Sequence, residues 1–137
     1  MAEYPQLLHT VIDTTDARTL AEFYRLLLGL QYRLGDEPPA DGLADDADWL
    51  VLVDNDGTRK LAFQEVERLE RTTWPEHDVP MQMHLDLVVA SHEELGRQRV
   101  RAESLGATLL YDRTDDADEP LYVLADPSGH PFCIFVG

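Results

Sequence analysis

The chain is one pattern written twice. Leu8-His9-Thr10-Val11-Ile12 opens the first copy and Met83-His84-Leu85-Asp86-Leu87 opens the second, with the two histidines 84 − 9 = 75 residues apart. Later in each copy an apolar run ends in an aspartate and a turn. These stretches are Leu50-Val51-Leu52-Val53-Asp54-Asn55-Asp56-Gly57 and Tyr122-Val123-Leu124-Ala125-Asp126-Pro127-Ser128-Gly129, the aspartates 126 − 54 = 72 residues apart. A short closing strand follows each turn, Leu61-Ala62-Phe63-Gln64 and Pro131-Phe132-Cys133-Ile134. A repeat of this length makes each copy a supersecondary unit that cannot bury its apolar face alone. Two such units facing one another enclose a cleft, and the paired histidines become candidate cleft residues.

Each copy reads as β-α-β-β-β. In the first, residues 7–12 carry a β-branched apolar strand signature, and Asp16 is placed to cap a helix running through Leu28. Leu20, Phe23, Tyr24, Leu27 and Leu28 fall at the spacing of a buried helical stripe, and Gly29 suits its left-handed end. Short strands are expected near 31–34, 49–54 and 60–66, with a polar loop over 35–48. In the second copy a strand over 82–89 precedes a helix capped by Ser91 and Glu94 and stopped at Gly106. Strands near 108–112, 121–125 and 132–136 complete it. Residues 67–80, with Trp74-Pro75 and Val79-Pro80, read as a linker. The expected fold is α+β: a single domain over 1–137, with module one about 7–66 and module two about 81–137. The tandem modules are expected to form a curved mixed sheet around a cleft, with helices on the outside.

Composition narrows the function classes. The 137 residues are 44% hydrophobic, enough for a core, and no apolar run approaches the length of a membrane span. The 27 acidic against 11 basic side chains give a formal charge of −16, which opposes nucleic-acid or anionic membrane partners and favours cationic ligands. The N-terminus lacks the basic start and apolar stretch of a secretory signal. A lone cysteine makes no internal disulfide, so the expected compartment is the cytoplasm.

Strand alternation sorts the candidates by face. Met83, Leu85, Leu87 and Val89 form an apolar face for the helix layer, which leaves His84 and Asp86 on the other. By the repeat, His9 takes the equivalent place beside Val11. If the helices take Phe63 and Phe132, then Gln64 and Cys133 share the open face with the histidines. His9, Gln64, His84 and Cys133 form the expected ligand-binding cleft, with Trp49 and Tyr122 able to stack on an aromatic ligand. Asp86 orients His84 only if the strand bends, and Glu65, beside Gln64, is sent to the opposite face by parity. His77, His92 and His130 are expected at the surface.

The doubled order of elements, with Phe23-Tyr24 before Leu28-Gly29 and Asp126-Pro127-Ser128-Gly129 as its last turn, resembles the vicinal oxygen chelate superfamily. That superfamily includes glyoxalase I, extradiol dioxygenases and bleomycin-resistance proteins. The resemblance covers about residues 7–136. It implies that metal-dependent members take one ligand from the first strand and one from the last strand of each module. His9 and His84 match the first-strand positions, while Gln64 and Cys133 fall where such members have glutamate. The metal set expected here is therefore His9, Gln64 and His84, holding zinc, nickel, manganese or iron, or else no metal at all. Gln64 serves equally as a ligand or a pocket hydrogen-bonding group, and Cys133 as a small buried hydrophobe. The resemblance implies a homodimer that binds a small molecule. The expected role is a glyoxalase-like module that sequesters a cationic antibiotic-like ligand. The alternative is a metal-dependent lyase or isomerase acting on a small oxygenated metabolite, with ring-cleaving dioxygenase weaker because Cys133 replaces a glutamate ligand.

Overall fold

A computed structural model describes residues 3–137. The chain divides into two compact units, the first ending at Leu69 and the second spanning Glu70–Gly137. The first contains β1 (Thr10–Thr14), α1 (Ala17–Leu28), β2 (Gln31–Tyr32), β3 (Trp49–Val53) and β4 (Arg59–Glu65). The second contains β5 (Leu85–Val89), α2 (His92–Ser104), β6 (Thr108–Arg113), β7 (Leu121–Ala125) and β8 (Pro131–Val136). This is the doubled β-α-β-β-β order, in an α+β fold. Each unit holds a four-stranded mixed sheet, ordered β1-β4-β3-β2 in the first and β5-β8-β7-β6 in the second. In both, the first strand runs parallel to the last, and the other neighbours are antiparallel.

Local sequence explains the helices. The Asp16 carboxylate accepts a hydrogen bond from Thr19 N–H at 3.1 Å, satisfying one of the free amides of the first turn of α1. Glu65 supplies a second cap, accepting from Ala17 N–H at 2.9 Å, so its carboxylate lies on the helix side, as parity requires. Gly29 ends α1 at φ 67°, a conformation that a side chain disfavours. Leu20, Phe23, Tyr24 and Leu27 are buried, while Leu28 at the edge of the stripe stays exposed. Tyr24 stacks on Phe63 with ring centroids 5.9 Å apart, which fixes Phe63 on the helix face. In α2, Ser91 accepts from Glu94 N–H at 3.1 Å. The Glu94 side chain turns to Arg97. Only Leu95 and Ala102 of this helix are buried, so its hold on the sheet is narrower.

The two aspartate turns are built alike. Asp54 N–H donates to Thr58 C=O and Asp126 N–H to His130 C=O, at 2.9 and 2.8 Å. Each carboxylate then accepts two backbone amides of its own turn, from Asp56 and Thr58 in one and from Ser128 and His130 in the other. Asp126 is buried, so those bonds replace its lost water. Beyond the turns the copies diverge by one residue. Leu52 pairs with Leu61 but Val53 pairs with Arg59, so Lys60 is an extra residue in a β-bulge. The second copy pairs Leu124 with Phe132 and Ala125 with Pro131 without interruption.

The segment read as a linker over 67–80 is not all connection. Residues from Glu70 onward belong to the second unit, where Trp74 packs edge-on against Tyr111 with centroids 5.8 Å apart. Arg71 lies over the β7–β8 turn, and a Cβ at Gly129, whose φ is 95°, would meet its side chain at 2.8 Å. Proline and charge hid a cover built from one tryptophan and one arginine. Among the described residues no helix is long and apolar enough to cross a membrane.

Phe63 is fully buried against Tyr24, whereas Leu34 is 92% exposed. Urea denaturation is expected to show a loss of about 3–5 kcal/mol for Phe63→Ala. Leu34→Ala is expected to stay within about 0.5 kcal/mol of the parent.

Candidate functional site

The opening histidines sit just ahead of their strands, His9 before Thr10 and His84 before Leu85. In the first unit Val11 and Asp13 of β1 share the sheet's open face with Ala62 and Gln64 of β4 and with Trp49 and Val51 of β3. The His9 and Trp49 rings lie 6.1 Å apart. The buried Nδ1 of His9 has no hydrogen-bond partner among the described residues. Desolvation, reinforced by the positive charges of Arg59 and Arg33, holds the His9 pKa below its ordinary 6.5 and keeps the ring neutral near pH 7.

The repeat and the strand register together correct one assignment. Thr10 pairs with Leu61 and Leu85 with Phe132. Because 10 + 75 = 85, Leu61 corresponds to Phe132 and Ala62 to Cys133. Gln64 keeps the open face but lies two residues further along, opposite Asp13 and Trp49. Its expected place as the counterpart of Cys133 belongs to Ala62, which has no donor atom. The cause is the register in which β4 pairs with β1, which neither composition nor face parity reveals. Tyr122 is also relocated. It pairs with Ile134, shares the helix face with Leu124 and Phe132, and lies under the Arg99 guanidinium at 5.3 Å. It therefore does not join the open-face residues.

The second unit concentrates the chemistry. Asp86 and Cys133 are register partners in the parallel β5–β8 ladder. Asp86 Oδ1 lies 3.0 Å from His84 Nε2. His84 precedes the first ladder pair and lies outside the regular strand geometry that disfavours an i, i+2 contact. Donor atoms of His84, Asp86 and Cys133 all lie within 4.8 Å of one another, a three-residue group able to hold a metal ion. Burial, with the Asp86 carboxylate beside it, pushes the Cys133 thiol up to about 11, so it stays protonated and unreactive at neutral pH. The corresponding residues of the first copy are His9, Val11 and Ala62, two of which cannot donate.

Next to this group lies a cavity of about 120 Å³ within the second unit. Trp74 and Met81 wall it from the covering segment, His84 and Arg113 line it, and Leu121, Val123, Pro131 and Cys133 form the sheet side. Trp74, Met81 and Arg113 carried no motif. Only the alternation of β6 and β7 points to Arg113, and nothing local marks the other two. His77 and His92 are exposed, and His130 is half-buried with its N–H on Asp126.

A glyoxalase-like domain model matches residues 9–135. The chain belongs to the glyoxalase-like domain family. It is thereby placed in the vicinal oxygen chelate superfamily, and solved structures agree on the fold. A possible glyoxalase from Bacillus cereus is 15% identical, with 95% of this chain and 97% of that one covered and a TM-score of 0.63. A glyoxalase/bleomycin resistance protein/dioxygenase family enzyme from Burkholderia phytofirmans is 19% identical over 94% and 96%, with a TM-score of 0.66. The genomically encoded fosfomycin resistance protein FosX from Listeria monocytogenes is 15% identical over 98% and 94%, with a TM-score of 0.67. No curated protein matches the chain. The register pairs Val11 with Ala62 and Asp86 with Cys133, so the residue of the first copy that corresponds to Cys133 is Ala62. Ala62 contributes no donor there, and the amide oxygen of Gln64 lies two residues further along the same face.

The depressed His9 pKa has a definite pH signature. As pH falls below 6.5, the unfolded chain takes up this proton first, so the residue's contribution to stability is lost between 6.5 and its lower folded midpoint. NMR titration is expected to put the His9 midpoint below 6.5, and His9→Asn is expected to flatten the acid side of the stability profile.

Proposed function

We propose that this glyoxalase-like protein binds a small cationic, partly aromatic molecule of the antibiotic type, and does not turn over glyoxalase substrates. The observation that carries this reading is Ala62 at the register position of Cys133. With alanine there and a thiol in the second copy, both closing strands lack the carboxylate that the resemblance implies as ligand and base.

Three features support binding. The Trp74–Tyr111 pair and the Asp86 carboxylate stand close to the cavity of the second unit, a combination that favours a cation beside aromatic rings. The net charge of −16 raises the encounter rate of cations. The orphaned Nδ1 of His9, beside Trp49, offers a further polar contact to a ligand on the first unit's open face. The cavity of about 120 Å³ has room for about four waters. Drug-sized ligands occupy roughly 300–1,000 Å³, so a ring or head group enters and the remainder lies on the open sheet face. Exposed Leu7, Leu8, Val11, Met83 and Val88 support a homodimer that covers these faces. The metal-dependent lyase or isomerase reading draws on the His84–Asp86–Cys133 group, but it lacks a carboxylate base on the open face of either closing strand, Glu65 being turned to the helix side.

A thermal-shift screen of cationic antibiotics and small oxygenated metabolites is expected to give saturable stabilisation by a cation. The effect is expected to weaken as salt is raised. Arg113 opposes a cation in the cavity, so Arg113→Gln is expected to tighten binding and Asp86→Asn to weaken it. Turnover of a thiol–aldehyde adduct is expected to stay at background with added nickel, manganese or zinc, and robust turnover lost in His9→Ala would overturn the reading. Light scattering is expected to report a dimer.

A further inference from the structure

The structure assigns a zinc-type metal site to the second unit alone, with His84 Nε2, Asp86 Oδ1 and Cys133 Sγ as its donors. This site differs from the four-position set that the family resemblance implies. It uses Asp86, whose counterpart in the first copy is Val11, and it needs nothing from the first copy.

Three independent features converge on it. Parallel pairing sets Asp86 directly beside Cys133, and His84, just ahead of β5, lies 3.0 Å from the Asp86 carboxylate. The three donor atoms lie within 4.8 Å of one another. Zinc bonds of about 2.0–2.3 Å to nitrogen, oxygen and sulfur put neighbouring ligands at roughly 3.3–3.8 Å. The group therefore closes around an ion by about an ångström of side-chain movement, which the exposed His84 and Asp86 side chains are free to make. Imidazole, carboxylate and thiolate together select zinc or cobalt over magnesium, calcium or manganese, because the sulfur is too soft for the harder ions. Three protein donors leave one coordination position, as in catalytic rather than structural zinc sites. His84 and Cys133 both line the cavity, so that position opens on it.

The proton balance is simple. Without metal, the Asp86 carboxylate accepts from the imidazole and the thiol. On binding, the Cys133 S–H bond breaks, its electron pair goes to the metal and its proton goes to solvent. The imidazole exchanges the Nε2 proton that Asp86 accepts for one on Nδ1 through solvent, and the freed Nε2 electron pair goes to the metal. Affinity must therefore rise with pH. The proposal shares its cavity with the small-molecule reading but does not depend on it, because an ion binds with or without an organic ligand.

The test is titration of the chelator-stripped full-length protein with zinc and with cobalt, no organic ligand being present. Equimolar zinc uptake with proton release is expected, together with the thiolate-to-cobalt charge-transfer band and the intense visible bands of a tetrahedral ion. Cys133→Ser is expected to abolish the charge-transfer band. Asp86→Asn, at an exposed position that spares the core, is expected to cost at least the roughly 10–100-fold that outer-shell partners cost in other sites. His9→Ala is expected to leave zinc affinity and the cobalt spectrum unchanged. A parent protein that takes up no zinc, a cobalt spectrum without the thiolate band, or loss of binding in His9→Ala overturns the assignment. Drug stabilisation measured in chelator reports on the small-molecule reading separately.

Discussion

Parallel pairing between the first and last strand of each copy is the constraint from which the rest follows. It joins residues some fifty positions apart, Thr10 to Leu61 and Leu85 to Phe132. The intervening helix must then cross over the sheet and cover one face. That crossover buries Phe63 against Tyr24 in one unit and seats Leu95 in the core of the other. It leaves the opposite face without a helix, where Val51, Ala62 and Cys133 are buried while Gln64 and Asp86 stay exposed. Asp86 meets Cys133 only because these two strands are neighbours.

The copies share a scaffold but not a chemistry. Both turns hang on one aspartate that accepts two amides of its own loop. Both helices start from a short polar cap. Yet the triplet His84, Asp86 and Cys133 corresponds to His9, Val11 and Ala62. A duplicated fold needs its apolar stripe, caps and turns in both halves, because each half must bury its own face. Nothing in stability demands that the open-face residues stay alike, so that is where the halves are free to differ.

Electrostatics at the open faces favour neutral, ready groups over charged ones. Burial and two nearby arginines keep His9 deprotonated, and burial beside a carboxylate keeps Cys133 a thiol. Neither acts as a strong base or nucleophile near pH 7 in that state. Asp86 is the exposed carboxylate of the second group and its natural attraction for a cation, organic or metallic.

The sequence alone determined the α+β class, the doubled element order, the caps Asp16, Ser91 and Gly29, and the face on which His84, Cys133 and Gln64 lie. These depend on period, capping chemistry and alternation, all of which are local. Tertiary structure decided what local rules leave open. The pairing of β1 with β4 put Ala62, and not Gln64, in correspondence with Cys133. The antiparallel register of β7 sent Tyr122 beneath Arg99. The place of His84 ahead of the first β5 pair let Asp86 reach it, a contact that regular alternation disfavours. Trp74, inside a proline-rich stretch that reads as a linker, became a cavity wall through its packing on Tyr111. Face is set by counting residues within a strand. Register is set by which distant strand it pairs with, and that is fixed only when the sheet is assembled.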